Sequence, residues 1–225
     1  MAEFASAVTA QQKLSSDATS GAGRFDGEYF LHAALALLII VFFLPVMAMV
    51  AAAVALQDGG PVIFAHKRLG RNGKPFLCYK FRSMRVDAEA RLAELLAADP
   101  AAAEEWARDH KLRRDPRVTP LGDFLRRSSL DELPQFFNVL RGEMNLVGPR
   151  PIVEAERIKY GRRFQHYCAV KPGITGLWQI SGRNDVSYRT RVALDSCYAR
   201  RKSLGLDLYI LVMTLPSVLR ARGCY

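Results

Sequence analysis

Residues 126–135 read Arg-Arg-Ser-Ser-Leu-Asp-Glu-Leu-Pro-Gln, which sets two carboxylates, Asp131 and Glu132, directly behind Arg126 and Arg127. A carboxylate can act as a nucleophile toward phosphorus and carry an acyl phosphate. Such a step needs cations and a metal to offset charge on the phosphoryl group. Magnesium prefers one or two carboxylates together with phosphate oxygens, so one of two adjacent acids is a reasonable ligand. The same residues also have a purely local reading. Ser129 and Glu132 have the S-x-x-E spacing of a capping box, and acids in a first turn suit the helix dipole. Pro134 fits near a helix beginning, where backbone N–H groups lack intrahelical partners. That helix would run from Leu130 or Asp131 to Leu140 and stop at Arg141-Gly142, and its start would offer N–H groups to a phosphate. An Asp-Glu pair alone does not decide between a capped helix and a catalytic pair.

Other candidate residues lie on elements that would have to converge on this pair. Val62–Leu69 and Phe76–Met84 lean to β structure, and Asn72-Gly73 between them is a tight-turn signal, which predicts a hairpin. On the second strand Phe76, Cys78, Lys80 and Arg82 share one face, and Leu77, Tyr79 and Phe81 the other. Two cations on such a face are either solvated or bind phosphate. Arg150 stands between Pro149 and Pro151, where the backbone is held extended. The segment is either a stiff linker or a preorganised anion clamp.

The 225-residue chain carries 32 Lys+Arg against 22 Asp+Glu, a net charge of +10 that suits an anionic partner. Residues 1–29 lack apolar periodicity and read as a disordered tail. Phe30–Leu56 is a run of 27 residues without Asp, Glu, Lys or Arg. As a straight helix it would be about 40 Å long, more than a hydrocarbon core of about 30 Å. The region before it is net acidic and the run is too long for a cleavable signal peptide. Pro45 divides it into arms of 15 and 11 residues. A kinked spanning helix and a re-entrant hairpin of helices are both open. Either one leaves residues 57–225, with 30 basic and 18 acidic side chains, on the cytoplasmic side against an anionic leaflet.

Beyond the hairpin, helices are predicted over 86–98 and 101–111, and Thr119-Pro120 opens another through Leu125. Ile152–Tyr160 and Val192–Arg201 are helical, and Leu177–Ile180 reads as a short strand. Leu206–Leu219 is a core or membrane-interface helix. Cys78, Cys168, Cys197 and Cys224 form no C-x-x-C pair, so neither a zinc site nor a disulfide framework is expected. His32, His66, His110 and His166 form no metal-binding pair and read as surface or packing residues. P-loop, dinucleotide-binding and serine-hydrolase signatures are missing. Charge alone would allow a membrane-tethered binder of nucleic acid or anionic lipid. The cations are interspersed with acids and no nucleic-acid fold signature appears, so no nucleic acid is expected as a partner. A phosphatase would differ in using water as acceptor.

Three segments, PVIFAHKRLGRNGKPFLCYKFRSM (61–84), LGDFLRRSSLDELPQFFNVLRGEMNLVGPRP (121–151) and KPGITGLWQISGRN (171–184), resemble the bacterial sugar transferases. These are monotopic polyprenyl-phosphate hexose-1-phosphate transferases. The likeness runs from about residue 30 to 225, and the size suits the small exopolysaccharide-initiating, galactosyl-phosphate type. It implies an α+β, mainly helical fold. A re-entrant membrane helix over 30–56 would lead into a cytoplasmic catalytic domain over 57–225, with a small β-hairpin and interfacial amphipathic helices. It implies transfer of hexose-1-phosphate from a UDP-hexose, UDP-galactose or UDP-glucose, to undecaprenyl phosphate with release of UMP. Asp131 matches the nucleophile that forms a phosphosugar intermediate, and Glu132 the acid associated with Mg2+. Arg126 matches an arginine near the lipid phosphate; Arg127, Lys80, Arg82 and Arg150 lie in motifs around the site. Pro45 matches the proline that breaks the re-entrant helix, although Leu44 stands where some members carry serine. The expected setting is the bacterial inner membrane, with membrane lipids as neighbours and the domain on the cytoplasmic face. The residues fix neither the hexose nor the oligomeric state, a homodimer included.

Overall fold

A computed structural model describes residues 22–109, 112, 115–182 and 186–219. Residues 1–21 of the expected tail, the basic Arg113-Arg114, Arg183-Asn184 of the glycine turn and the Gly-Cys-Tyr end lie outside them. The architecture is mainly helical with two small two-stranded sheets. Helix α1 (Ala22–Asp58) starts eight residues before the apolar run, so 22–29 are its first turns rather than part of a tail. It continues through Pro45. The predicted hairpin follows as β1 (Ile63–Leu69) and β2 (Pro75–Phe81), antiparallel with Ile63 opposite Phe81. Its turn places Asn72 and Gly73 at positive φ, 59° and 69°, as an Asn-Gly pair allows.

Helices α2 (Ala88–Ala98) and α3 (Pro100–Asp109) come next, then α4 (Pro120–Ser128). Thr119 caps α4 as its spacing predicts, Oγ1 accepting from the Gly122 N–H at 2.9 Å. A 3-10 turn, Leu130–Glu132, leads to α5 (Gln135–Leu140), which ends at Gly142 with φ 72°. Strand β3 (Asn145–Val147) precedes the Pro149–Pro151 loop. Helices α6 (Arg157–Tyr160) and α7 (Phe164–Ala169) lead to β4 (Gly173–Thr175), which pairs parallel to β3. Leu177–Ile180, expected as a strand, is instead the short helix α8. The extended partner of β3 is the glycine-containing stretch just before it. The chain closes with α9 (Tyr188–Arg201) and α10 (Leu204–Leu219).

The apolar helix is part of the core. Ala36, Ile40, Met47, Val50 and Val54 are buried at three-to-four-residue intervals or their multiples. Ala36 packs with Val139, Met144, Leu146 and Ile210, and Met47, Val50 and Val54 with Phe81, Leu125 and Leu133. Its other side leaves Leu37, Leu38, Val41, Phe42, Leu44 and Met49 exposed. Both ends bond to the same body. Glu28 accepts from Asn145 Nδ2 at 2.9 Å and pairs with Lys202, and the Tyr29 hydroxyl donates to Leu140 O at 2.8 Å. At the far end Asp58 pairs with Arg82. Helix α10 adds a second exposed apolar surface, with Leu204, Leu208, Val212 and Leu215 outward.

Asn138 joins α5 to the hairpin and is completely buried. Its Oδ1 accepts from Tyr79 N at 3.1 Å, and its Nδ2 donates to Leu77 O at 2.7 Å and Glu143 Oε2 at 2.6 Å. The side chain thus stands in for a third strand along β2. Asn138→Ala strands these partners, and buried unpaired polar groups cost about 1–3 kcal/mol each. The expected result is a loss of about 2–4 kcal/mol, read as a lower melting temperature in detergent, with a correspondingly large loss of active fraction.

Candidate functional site

The Asp-Glu pair sits on a reversal between two helices. Helix α4 ends at Ser129, which adopts a left-handed conformation (φ 57°, ψ 15°). Such geometry costs a non-glycine residue about 1–2 kcal/mol. It turns the chain into the 3-10 turn and throws Asp131 inward, 6 % exposed. The expected capping box does not form. Ser129 makes no side-chain cap bond, and Glu132 reaches out to Lys80. Nor does a helix start at Asp131 offer its donors, because the N–H groups of Glu132 and Leu133 bond back to Ser129 O and Leu130 O. Positive charge here comes from side chains.

Lys80 Nζ lies 2.7 Å from Glu132 Oε1 and 3.6 Å from Asp131 Oδ2, so one ammonium bridges both carboxylates. It arrives from β2, on the strand face that also buries Cys78, with Phe76 packed at the edge of the same core. One face of the strand therefore serves core and site together, which explains its mixed composition. Burial raises the Asp131 carboxyl above the ordinary carboxylate range. Lys80 opposes that rise, Glu132 adds to it, and Arg126 and Arg150 oppose it.

Arg126, in the last turn of α4, donates from Nε to Ser83 Oγ at 2.9 Å, which holds its guanidinium near the carboxylates. Gly122 makes this docking feasible: a Cβ there would meet Ser83 O at 1.9 Å. Arg150 lies with its guanidinium 5.9 Å from the Trp178 ring and within electrostatic reach of Asp131. Its loop is fastened on both sides. Gly173 N donates to Pro149 O at 2.9 Å, Arg68 Nη1 donates to Pro151 O at 3.3 Å, and Leu69 N donates to Ile152 O at 2.8 Å. The stiff-linker and anion-clamp readings of this loop are thus compatible.

Two expected phosphate ligands lie elsewhere. Arg82 is buried and donates to Val54 O and Asp58 at the end of α1, because strand pairing stops at Phe81 and alternation no longer carries Arg82 toward Lys80. Arg127 is exposed and pairs with Asp123 one turn earlier, Nη2 to Oδ2 2.9 Å. Ser83, Arg68 and Asn138 are not among the expected site residues. An asparagine inside the apolar run Gln135–Leu140 was the available signal for the last of these.

Asp131 and Glu132 suit a divalent cation chemically, since two carboxylates face one small basic site. A separate acid–histidine group, Glu28, His32 and Asp207, brings its ligand atoms within 4.8 Å of one another. There Lys202 already pairs with Glu28, and the Tyr198 hydroxyl donates to Asp207 at 2.7 Å.

Comparison with known proteins agrees with this geometry. The family model described as bacterial sugar transferase matches residues 28–221. An undecaprenyl-phosphate galactose phosphotransferase of Salmonella typhimurium is 56 % identical over 169 residues, 75 % of this chain and 36 % of that protein. A UDP-galactose-lipid carrier transferase of Erwinia amylovora is 52 % identical over 84 % of this chain and 40 % of its own length. This chain thus spans about two fifths of these relatives. The exopolysaccharide production protein ExoY of Rhizobium meliloti is 49 % identical and matches nearly end to end, over 87 % of this chain and 85 % of its own. Taken with the carboxylate pair under Lys80, Arg126 and Arg150, the match over residues 28–221 means that this chain belongs to the bacterial sugar transferase family.

Proposed function

We propose that the protein transfers hexose-1-phosphate from a UDP-hexose to undecaprenyl phosphate, as the first membrane step of exopolysaccharide or related glycan assembly. The observation that carries this reading is the buried Asp131 carboxylate held 3.6 Å from an ammonium that also binds Glu132. Asp131 Oδ attacks the sugar-bearing phosphorus, the bond from that phosphorus to the bridging oxygen breaks, and UMP leaves. A phosphate oxygen of the lipid then attacks the same phosphorus, the acyl phosphate bond breaks, and the Asp131 carboxylate is restored. Lys80 and Arg126 offset charge on the transferring group, and Arg150 extends the positive field from its clamped loop. Asp131 and Glu132 would hold Mg2+, which supplies charge neutralisation at the phosphoryl oxygens. Galactose is the favoured hexose, since the names of the Salmonella and Erwinia relatives specify it.

The membrane arrangement proposed is monotopic, on the cytoplasmic face of the bacterial inner membrane. It is supported by the bonding of both ends of α1, Glu28 and Asp58, to one catalytic body. A spanning helix would separate those ends by a bilayer. The exposed apolar side of α1, with Pro45 in its middle, and the outer side of α10 would meet lipid.

Four sets of variants test these statements. Asp131→Asn is expected to abolish both UMP release and covalent labelling by a sugar-labelled donor, and Glu132→Gln or metal removal by EDTA to lower turnover at least about 100-fold. A turning-over Asp131→Asn protein would sink the covalent route. The reactive form of Asp131 is the carboxylate, so the rate rises with pH through its pKa, and burial places that limb above the ordinary value of about 4. Lys80→Met removes the opposing cation and moves the acid limb of kcat/KM to still higher pH; a limb that stays in place removes Lys80 from this role. For topology, single cysteines at Gly27 and Gln57 in a cysteine-free background are both expected to react with an impermeant maleimide in inverted vesicles and neither in intact spheroplasts. Labelling of Gly27→Cys from the periplasmic side overturns the monotopic arrangement.

A further inference from the structure

A second basic feature lies apart from the carboxylate pair. The stretch Arg157–Arg163 reads Arg-Ile-Lys-Tyr-Gly-Arg-Arg. Tyr160 is buried, and Gly161 at φ 50° turns the chain between Lys159 and Arg162-Arg163. The first turn of α9 brings Tyr188 and Arg189 against them. Together these residues line a cavity of about 540 Å³, large enough for a phosphorylated small molecule or a lipid headgroup.

Its charge is unbalanced. No acid lines it, and among the described residues no carboxylate pairs with Lys159, Arg162, Arg163 or Arg189. Lys80, Arg68, Arg82, Arg117, Arg127 and Lys202, by contrast, each pair with an acid. A solvated basic face would account for unpaired cations on a flat surface. Here the four rim an open cleft that Tyr160, Tyr188 and Val192 also line. The Tyr160 and Tyr188 rings meet edge to face at 6.2 Å, and Lys159 Nζ stands 4.9 Å from the Tyr188 ring. The Tyr160 hydroxyl is committed to the buried Asp195 at 2.6 Å. Like charges around a concavity reinforce one another's field, and guanidinium forks match phosphate oxygens. The lining includes none of Asp131, Glu132, Lys80, Arg126 and Arg150.

We propose that this cavity is a second anion site, separate from the reaction site, for a ligand carrying two phosphate groups, either soluble or as a diphosphate lipid headgroup. The test uses the full chain in nanodiscs of zwitterionic lipid, titrated calorimetrically with inorganic pyrophosphate. Wild-type protein is expected to take up one more equivalent than Arg162→Gln/Arg163→Gln/Arg189→Gln, with binding that weakens steeply as salt rises. The three side chains are exposed, so the variant's melting temperature and UMP release are expected to match wild type. Equal uptake by the two proteins overturns the site, and loss of UMP release in the variant overturns its separateness. The one-equivalent difference does not depend on whether the carboxylate pair itself takes pyrophosphate, so failure of the proposed transferase chemistry would leave it readable. Repeating the titration with cardiolipin in the nanodiscs identifies the source. Loss of the extra equivalent means the headgroup fills the cavity, and its retention means a soluble ligand does.

Discussion

A carboxylate held almost wholly out of water must either find a cation or accept a proton. Asp131 is in that position, and Lys80 is the cation that answers it. Much of the fold can be traced to the need to keep those two groups together. They are 51 positions apart in the chain, on a strand and on a helix reversal, and neither element could hold the distance alone. Asn138 ties the strand to the helix that follows the carboxylates, and Ser83 ties the arginine that precedes them. The left-handed Ser129 is the geometric cost of aiming Asp131 inward from between two helices.

The apolar helix belongs to the same construction. A membrane anchor attached by a linker would leave the catalytic body free to tumble relative to the lipid. Here the helix fills the floor under the hairpin and under α4 and α5, with Met47, Val50 and Val54 against Phe81, Leu125 and Leu133. Arg82 fastens its end to the strand that carries Lys80. The helix with the exposed apolar side and the strand that places the ammonium are therefore packed against each other. In the proposed reaction, whose acceptor phosphate would be confined to a membrane surface, that contact would set the height of Asp131 above the lipid.

Local signals in the sequence were read correctly where a short stretch determines its own geometry. Asn72-Gly73 makes the hairpin, Thr119-Pro120 caps α4, and Gly142 ends α5. Errors arose where a partner distant in sequence outcompetes a local one. Glu132 could have reached back to the backbone N–H of Ser129 to complete a capping box, but an ammonium from β2 is a better partner for a carboxylate than a backbone N–H. Arg82 shares a strand parity with Lys80, yet a helix end with free carbonyls and Asp58 captures it. Leu177–Ile180 has β-prone residues, but β3 pairs with the glycine-bearing stretch before it, where two backbones approach closely: a Cβ on Gly173 would meet Gly148 N at 2.0 Å. The carboxylate pair and Arg150 stood out by residue type; the identity of the cation between the carboxylates required the fold.

Two adjacent acids need different surroundings if they are to do different work. Asp131 is buried, with its carboxyl pushed toward the protonated form by burial and by its neighbour's charge. Glu132 is only half-buried and takes the closer bond to Lys80. The ammonium opposes the protonation of Asp131 that burial and the neighbouring charge promote. Lys80 thus sits closer to Glu132 and leaves Asp131 the more deeply buried of the two. A less stabilised, desolvated carboxylate is the stronger nucleophile, and a solvated one bound to a cation is better suited to stay in place and hold charge. In the proposed reaction the burial difference between neighbouring residues, set by one left-handed turn, assigns attack to Asp131 and support to Glu132.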